Sequence, residues 1–210
     1  MNEILDVAII GAGFGGIGAA IRLQKDTSFT FKILERSSSI GGTWRDNIYP
    51  GCGCDVPSHL YSFSFAPNPS WTQVFSKQEE ILEYMYSLIN KFKLEEAILY
   101  NSNITKIVYE SSKNRWRLTA TNGQIYLAKT VISAIGPLNV PNVPDLDGFS
   151  KFKGQYFHSS EWNQSTDLTN KNVAIVGTGA SAIQIVPEIA KKVKALQLYQ
   201  GLPLSRVILP

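Results

Sequence analysis

The chain has 210 residues, 44% of them hydrophobic, with 20 Lys and Arg against 17 Asp and Glu for a formal net charge of +3. That length and apolar content are enough for a substantial core in one or two domains. The weak, scattered positive charge excludes the concentrated basic face that binds nucleic acid or an anionic membrane. No apolar run reaches the roughly 18 residues of a bilayer span, and a first strand expected from near Ile4 leaves no room for a signal peptide, so a cytoplasmic protein is expected.

The apolar run Asp6 to Ile10 leads into Gly11-Ala12-Gly13-Phe14-Gly15-Gly16. This is the glycine fingerprint of dinucleotide binding, followed by a helix expected over Phe14 to Gln24. Gly11 allows the tight turn, Gly13 lets the backbone approach a pyrophosphate, and Gly16 lets the helix pack on the strand, so each task excludes a Cβ. The pyrophosphate then meets free N–H groups, Phe14 among them, and the positive end of the helix dipole. A second apolar run, Thr30 to Leu34, ends at Glu35. That is the distance at which an acidic side chain accepts ribose hydroxyls; Arg36 beside it is a further candidate contact.

From Arg36 to Phe63 the sequence has no clear periodicity, and a structureless stretch of this length is usually functional. Gly41, Gly42 and Thr43 supply tight turns and close approach, Trp44, Tyr49, Tyr61 and Phe63 supply flat apolar walls, and Asp55 is a carboxylate among them. The mixture suits a planar ring system such as a flavin; an aromatic covering loop over the sheet fits the composition equally well. Cys52 and Cys54 lack the further ligands of a zinc site and read as reduced packing residues. His59 and His158 are too few and too far apart for a metal cluster.

Ser76-Lys77-Gln78-Glu79 matches a capping box ahead of a helix whose apolar residues Ile81, Met85, Leu88 and Phe92 face a core. The runs Ile104 to Tyr109, Trp116 to Thr121 and Ile125 to Leu127 read as a meander, with turns at Ser111 to Asn114 and at Asn122-Gly123. A separate, buried strand is expected over Thr130 to Ile135, ending at Gly136, where the backbone passes close to the first nucleotide. Pro137, Pro141 and Pro144 mark a connector. It divides residues 1–140, the first dinucleotide-binding domain, from 141–210, a connector and the start of a second.

In that second part Asn172 to Val176 precedes Gly177-Thr178-Gly179-Ala180-Ser181-Ala182, with Ala182 in the third glycine position and a helix expected over Ser181 to Lys192. Two such fingerprints imply two nucleotides on one chain, and hence electron transfer between them. The fold class is α/β, with two Rossmann-type dinucleotide-binding domains, the second incomplete: a strand, a helix and the strand Leu196 to Tyr199 are too few to bury their own apolar faces.

In their order along the chain, the first fingerprint, Gly41-Gly42-Thr43-Trp44, the segment Tyr49-Pro50-Gly51 to Cys54-Asp55, Ser133-Ala134-Ile135-Gly136 and the second fingerprint resemble the N-terminal portion of class B flavoprotein monooxygenases. Phe152-Lys153-Gly154-Gln155-Tyr156-Phe157-His158-Ser159-Ser160-Glu161-Trp162-Asn163 resembles the Baeyer–Villiger signature, Phe-x-Gly-x3-His-x3-Trp. It departs at Asn163, where proline or aspartate is usual, and threonine is common in the family where this chain has Ile135. The resemblance implies FAD at the first site and NADPH at the second, with one atom of O2 inserted into a small-molecule ketone through a flavin C4a-peroxide. It implies that Asp55, the catalytic candidate, lies beside the flavin and helps place an arginine, and that His158 and Trp162 act at an interdomain hinge. A hydrogen-bonded structural role fits His158 as well.

Relatives of this pattern continue far beyond Pro210, so the resemblance also implies a truncated form. The family commonly reads Gln-Arg-Thr-Pro where this chain has Gln200-Gly201-Leu202-Pro203. Loss of one adenine converts the first into the second, so residues 201–210 are expected to be out of frame; Gly201 removes an arginine contact to the NADPH 2′-phosphate. Two alternatives stand beside the ketone monooxygenase: a catalytically silent FAD-binding fragment, and a flavin monooxygenase acting on N or S centres. A disulfide reductase is disfavoured by the Cys52-x-Cys54 spacing.

Overall fold

The computed structural model describes residues 4–137, 139–145 and 147–201; most of the segment expected to be out of frame, residues 202–210, lies outside them. Strand β1, Ile4–Ile10, alternates its apolar side chains between two faces from Val7 onward. Val7 and Ile9 enter one buried cluster, and Leu5, Ala8 and Ile10 enter another. Helix α1, Phe14–Asp26, follows at once and buries Ile17 and Ile21 against the first face. Full burial of each such side chain contributes about 1.5–3 kcal/mol. Strand β2, Phe31–Leu34, then lies parallel to β1, so β1, α1 and β2 form the expected βαβ unit.

The segment after β2 is more ordered than its composition suggested. It holds a one-turn helix α2, Thr43–Asp46, and a 3-10 turn, Ser58–Leu60. Helix α3, Gln78–Phe92, buries Ile81, Met85 and Leu88 as expected, but its N-cap is Lys77, with no side-chain cap. The capping-box reading fails because Ser76 is committed elsewhere. Its hydroxyl meets that of Ser58 at 2.7 Å, and its carbonyl accepts the N–H of Cys54.

A two-residue strand β3, Ile98–Leu99, pairs with β2. Then come β4, Ile104–Glu110, β5, Arg115–Ala120, and β6, Ile125–Ser133. The two expected strands after Asn122-Gly123 are thus one. β6 pairs antiparallel with β5 over its first half and parallel with β1 from Leu127 to Ser133. Nor is the expected buried strand buried throughout: Thr130 and Ser133 are exposed, as is Ile135, which lies beyond the end of β6. The sheet order is β3-β2-β1-β6-β5-β4.

The second unit consists of β7, Asn172–Val176, helix α4, Ala180–Ile189, and β8, Ala195–Tyr199, which lies parallel to β7. Ile185 and Ile189 of α4 join the same cluster as Ile17, Ile21, Met85 and Leu88. Val176, Ile183, Leu198 and Tyr199 stay exposed, as expected of a unit with too few elements to cover its own apolar faces. Among the described residues no helix is long and apolar enough to cross a membrane.

Candidate functional site

The carboxyl ends of β1 and β2, the start of α1, helix α2 and the stretch after β6 enclose a cleft of about 370 Å³. In an open α/β sheet this is where ligands bind, at the point where strand order reverses on either side of β1. Of the residues singled out in the sequence, Gly11, Gly13, Phe14, Glu35, Arg36, Gly42, Thr43, Trp44 and Gly136 line it.

Two glycines explain the shape of its floor. Gly11 has φ of +100°, and a Cβ there would lie 2.6 Å from the Ala134 carbonyl oxygen. Gly16 does not face the cleft; a Cβ on it would stand 1.8 Å from the Gly11 oxygen, so it sets how closely α1 packs on the turn. The N-cap Gly13 offers no side-chain cap, which leaves the first N–H groups of α1 without an intrahelical acceptor.

Glu35 is only 3% exposed. Its Oε2 accepts the Ala12 N–H at 2.7 Å, and its Oε1 accepts the Ser37 N–H and Arg45 Nη1, each at 3.0 Å. Arg45, which the sequence reading missed, also donates to the Ser39 carbonyl at 2.7 Å and grips both Asp46 oxygens, through Nε at 2.7 Å and Nη2 at 3.0 Å. Burial works against the Arg45 charge, but Asp46 and Glu35 outweigh it and hold the guanidinium above its ordinary pKa. Arg36 reaches Asp46 more loosely, at 3.4 Å. The rim of the cleft therefore carries alternating charges that nearly cancel.

The aromatic segment both lines and covers. Trp44 is buried and donates its indole N–H to the Tyr61 hydroxyl at 3.1 Å, and Phe14 meets the Tyr61 ring at 5.0 Å. Phe63 packs over Gly18 and stacks on Phe65. Tyr49 turns away toward α4, where its hydroxyl donates to Gln184 Oε1 at 3.0 Å, and burial pushes its pKa up to about 12. Gln184 also donates from Nε2 to the Gly53 carbonyl at 2.9 Å and accepts the Gly53 N–H at 3.3 Å. Nothing in the sequence pointed to Gln184, because its partners lie more than a hundred residues earlier.

Asp55 is exposed and does not line the cleft. Its neighbours Cys52 and Cys54 are buried and unpaired, and burial raises both thiol pKa values. Cys52 and Cys54 thus sit as packing residues. His158 is the N-cap of the 3-10 turn Ser159–Glu161: its Nδ1 accepts the Ser160 N–H at 3.2 Å. Trp162 packs on the main core and meets Phe157 edge-on. Asn163 closes a local turn by accepting the N–H and hydroxyl of Ser165.

Gly177, Thr178, Gly179 and Ala182 stand apart from the first cleft, at the end of β7 and the start of α4. Open space lies over Gly177 and Gly179, and Ala182 is buried beneath them. A larger, open groove of about 640 Å³ runs along α3 beside Glu79, Glu80 and Glu83 and holds none of the candidate nucleotide-binding or catalytic residues. No group of three His, Cys, Asp or Glu among the described residues is placed to hold a metal.

The chain matches the model of a family described as flavin-binding monooxygenase-like over residues 5–201. It is 49% identical over 203 residues to a Baeyer-Villiger monooxygenase of Streptomyces coelicolor, covering 97% of this chain and 39% of that protein. It is also 49% identical to one from Pseudomonas aeruginosa, covering 94% and 37%. Among solved structures, cyclohexanone monooxygenase from Rhodococcus sp. Phi1 bound to NADP+ superposes with a TM-score of 0.88 at 33% identity, over 97% of this chain and 39% of that one. The OTEMO complex with FAD and NADP gives 0.89 at 32% identity, over 97% and 40%. The chain thus spans about two fifths of the length of these relatives.

Proposed function

Because the chain belongs to the flavin-binding monooxygenase-like family, we propose that it provides the FAD site and part of the NADPH site of a Baeyer–Villiger-type monooxygenase, with a ketone and O2 as substrates. The observation that carries this reading is the cleft at the first fingerprint. The residues present suit the adenosine half of FAD. The uncapped start of α1 offers N–H groups to a pyrophosphate, and Gly13 and Gly42 bring only backbone to the cleft. Glu35 retains an acceptor site on Oε2, since a carboxylate has about four and three are taken.

In this reading Gly11, Gly13, Phe14, Gly42 and Thr43 line the pyrophosphate path, Gly16 sets how closely α1 packs on the turn, Glu35 receives a ribose hydroxyl and Arg36 borders the adenosine end. Trp44 and Gly136 border the way toward the flavin ring, and Asp55 is assigned to the ring end by resemblance, from the segment hydrogen-bonded to α4. Gly177, Thr178, Gly179 and Ala182 receive NADPH. FAD bound here would supply the redox chemistry, accepting hydride from NADPH and activating O2; the protein's share is to bind, orient and exclude water. We divide the chain near residue 140, between an FAD-binding part and the connector to the NADPH-binding part. The two unpaired thiols suit the reducing environment of the cytoplasm.

The test is to purify the 210-residue chain, record its flavin spectrum and add NADPH anaerobically. A yellow protein that bleaches supports both sites, and a ketone oxygenation assay then follows. A yellow protein that does not bleach supports a silent FAD-binding fragment, and a colourless one overturns the FAD assignment.

A further inference from the structure

We propose that Arg45 is a positioning residue for the first nucleotide, acting on the adenosine ribose through Glu35; this rests on the FAD reading above. Four of the five guanidinium N–H groups are already engaged within the protein, by Glu35 Oε1, the Ser39 carbonyl and both oxygens of Asp46. Arg45 is therefore a clasp rather than a free cation waiting for a phosphate. Its side chain is 15% exposed and that of Glu35 is 4% exposed, so the contact is shielded from salt and water.

The geometry assigns it two effects on the carboxylate. By filling Oε1 together with the Ser37 N–H, Arg45 fixes the rotation of the carboxyl, so that the acceptor left over belongs to Oε2, the oxygen also held by Ala12 inside the fingerprint. By lying against Glu35, it also cancels a buried negative charge that would otherwise face the pyrophosphate. Asp46, held at both oxygens, keeps the guanidinium plane from turning. Glu35 takes the ribose; Arg45 decides which oxygen is offered.

The test is a double-mutant cycle on the 210-residue chain with Arg45→Met, Arg45→Lys, Glu35→Gln and the Arg45→Met/Glu35→Gln pair. FAD affinity is read by quenching of flavin fluorescence, ADP by competition, and thermal unfolding is followed without nucleotide. Arg45→Met is expected to weaken FAD roughly tenfold or more, the scale of one charge-assisted buried hydrogen bond. ADP, the adenosine half alone, should lose the same factor, and Arg45→Lys should recover part of it. In the Glu35→Gln background the Arg45→Met loss should vanish. Losses that multiply independently, or an unchanged FAD affinity in Arg45→Met, overturn the proposal and leave the FAD reading intact. A wild-type chain that takes up no FAD overturns both.

Discussion

Gly16 and Gly179 stand under opposite constraints, which separates folding from binding. A methyl on Gly16 would meet the Gly11 oxygen at 1.8 Å, so Gly16→Ala forces α1 away from the turn and is expected to cost about 1–3 kcal/mol or more, seen as a lower Tm before any nucleotide is added. Gly179 has nothing within 4 Å of a Cβ position and is the N-cap of α4, without a side-chain cap. Serine there can cap the helix and gain a few tenths of a kcal/mol, while on the proposed NADPH reading its side chain would fill the space left for a pyrophosphate. Gly179→Ser should therefore hold its Tm and lose NADPH affinity at least tenfold; intact affinity at that variant would remove the second site from this loop. The places of the first-fingerprint glycines and Glu35 at the ends of β1 and β2 were legible in the sequence because they follow from spacing along one βαβ unit. Arg45 and Gln184 were not, since an ion pair across ten residues and a hydrogen bond across 131 leave no local pattern.

Elements are fastened to one another by a few ionic staples that acid should release. Asp6 of β1 accepts the N–H and hydroxyl of Thr30 ahead of β2 at 2.9 and 3.0 Å, and Lys129 of β6 at 2.7 Å. Lys129 and Thr30 hold its pKa down to about 2. Glu110, at the end of β4, is held at about 2 by Arg115 and Arg117 of β5. A depressed carboxyl pKa adds stability that is present above the ordinary carboxylate value, about 4, and is lost as pH falls through that value toward 2. The Asp6→Asn/Glu110→Gln chain is expected to show a shallower fall of Tm between those limits than the wild type; parallel curves would mean the staples contribute nothing to acid stability. Lys129 also explains a misreading. A charged residue inside an apolar run looks like a break between strands, yet β6, paired on both sides, exposes the side chain beside Asp6 and runs on. The βαβ pattern and the meander were legible because their periods are local. The cap at Ser76 and the two-residue β3 were not, because Ser58 and β2 define them from a distance.

At the scale of the molecule the two α/β units share one interior. α4 sends Ile185 and Ile189 into the cluster built by α1 and α3, and Gln184 ties it to Gly53 and Tyr49. The second unit leans on the first while its own strands leave Val176, Leu198 and Tyr199 uncovered. The double pairing of β6 also bears on the order of events in folding. β1 and β6 are joined through everything between them, so bringing them together directly closes a long loop at an entropic cost that grows with its length. The β5–β6 hairpin, turned at Asn122-Gly123, closes locally, and because β6 is continuous, it carries Leu127 to Ser133 as a ready edge for β1. The hairpin is thus the expected nucleus and β1 a late arrival. Leu118→Ala should slow refolding, whereas Ile9→Val should chiefly hasten unfolding; the reverse partition in stopped-flow chevrons would place the start of folding in the first βαβ unit.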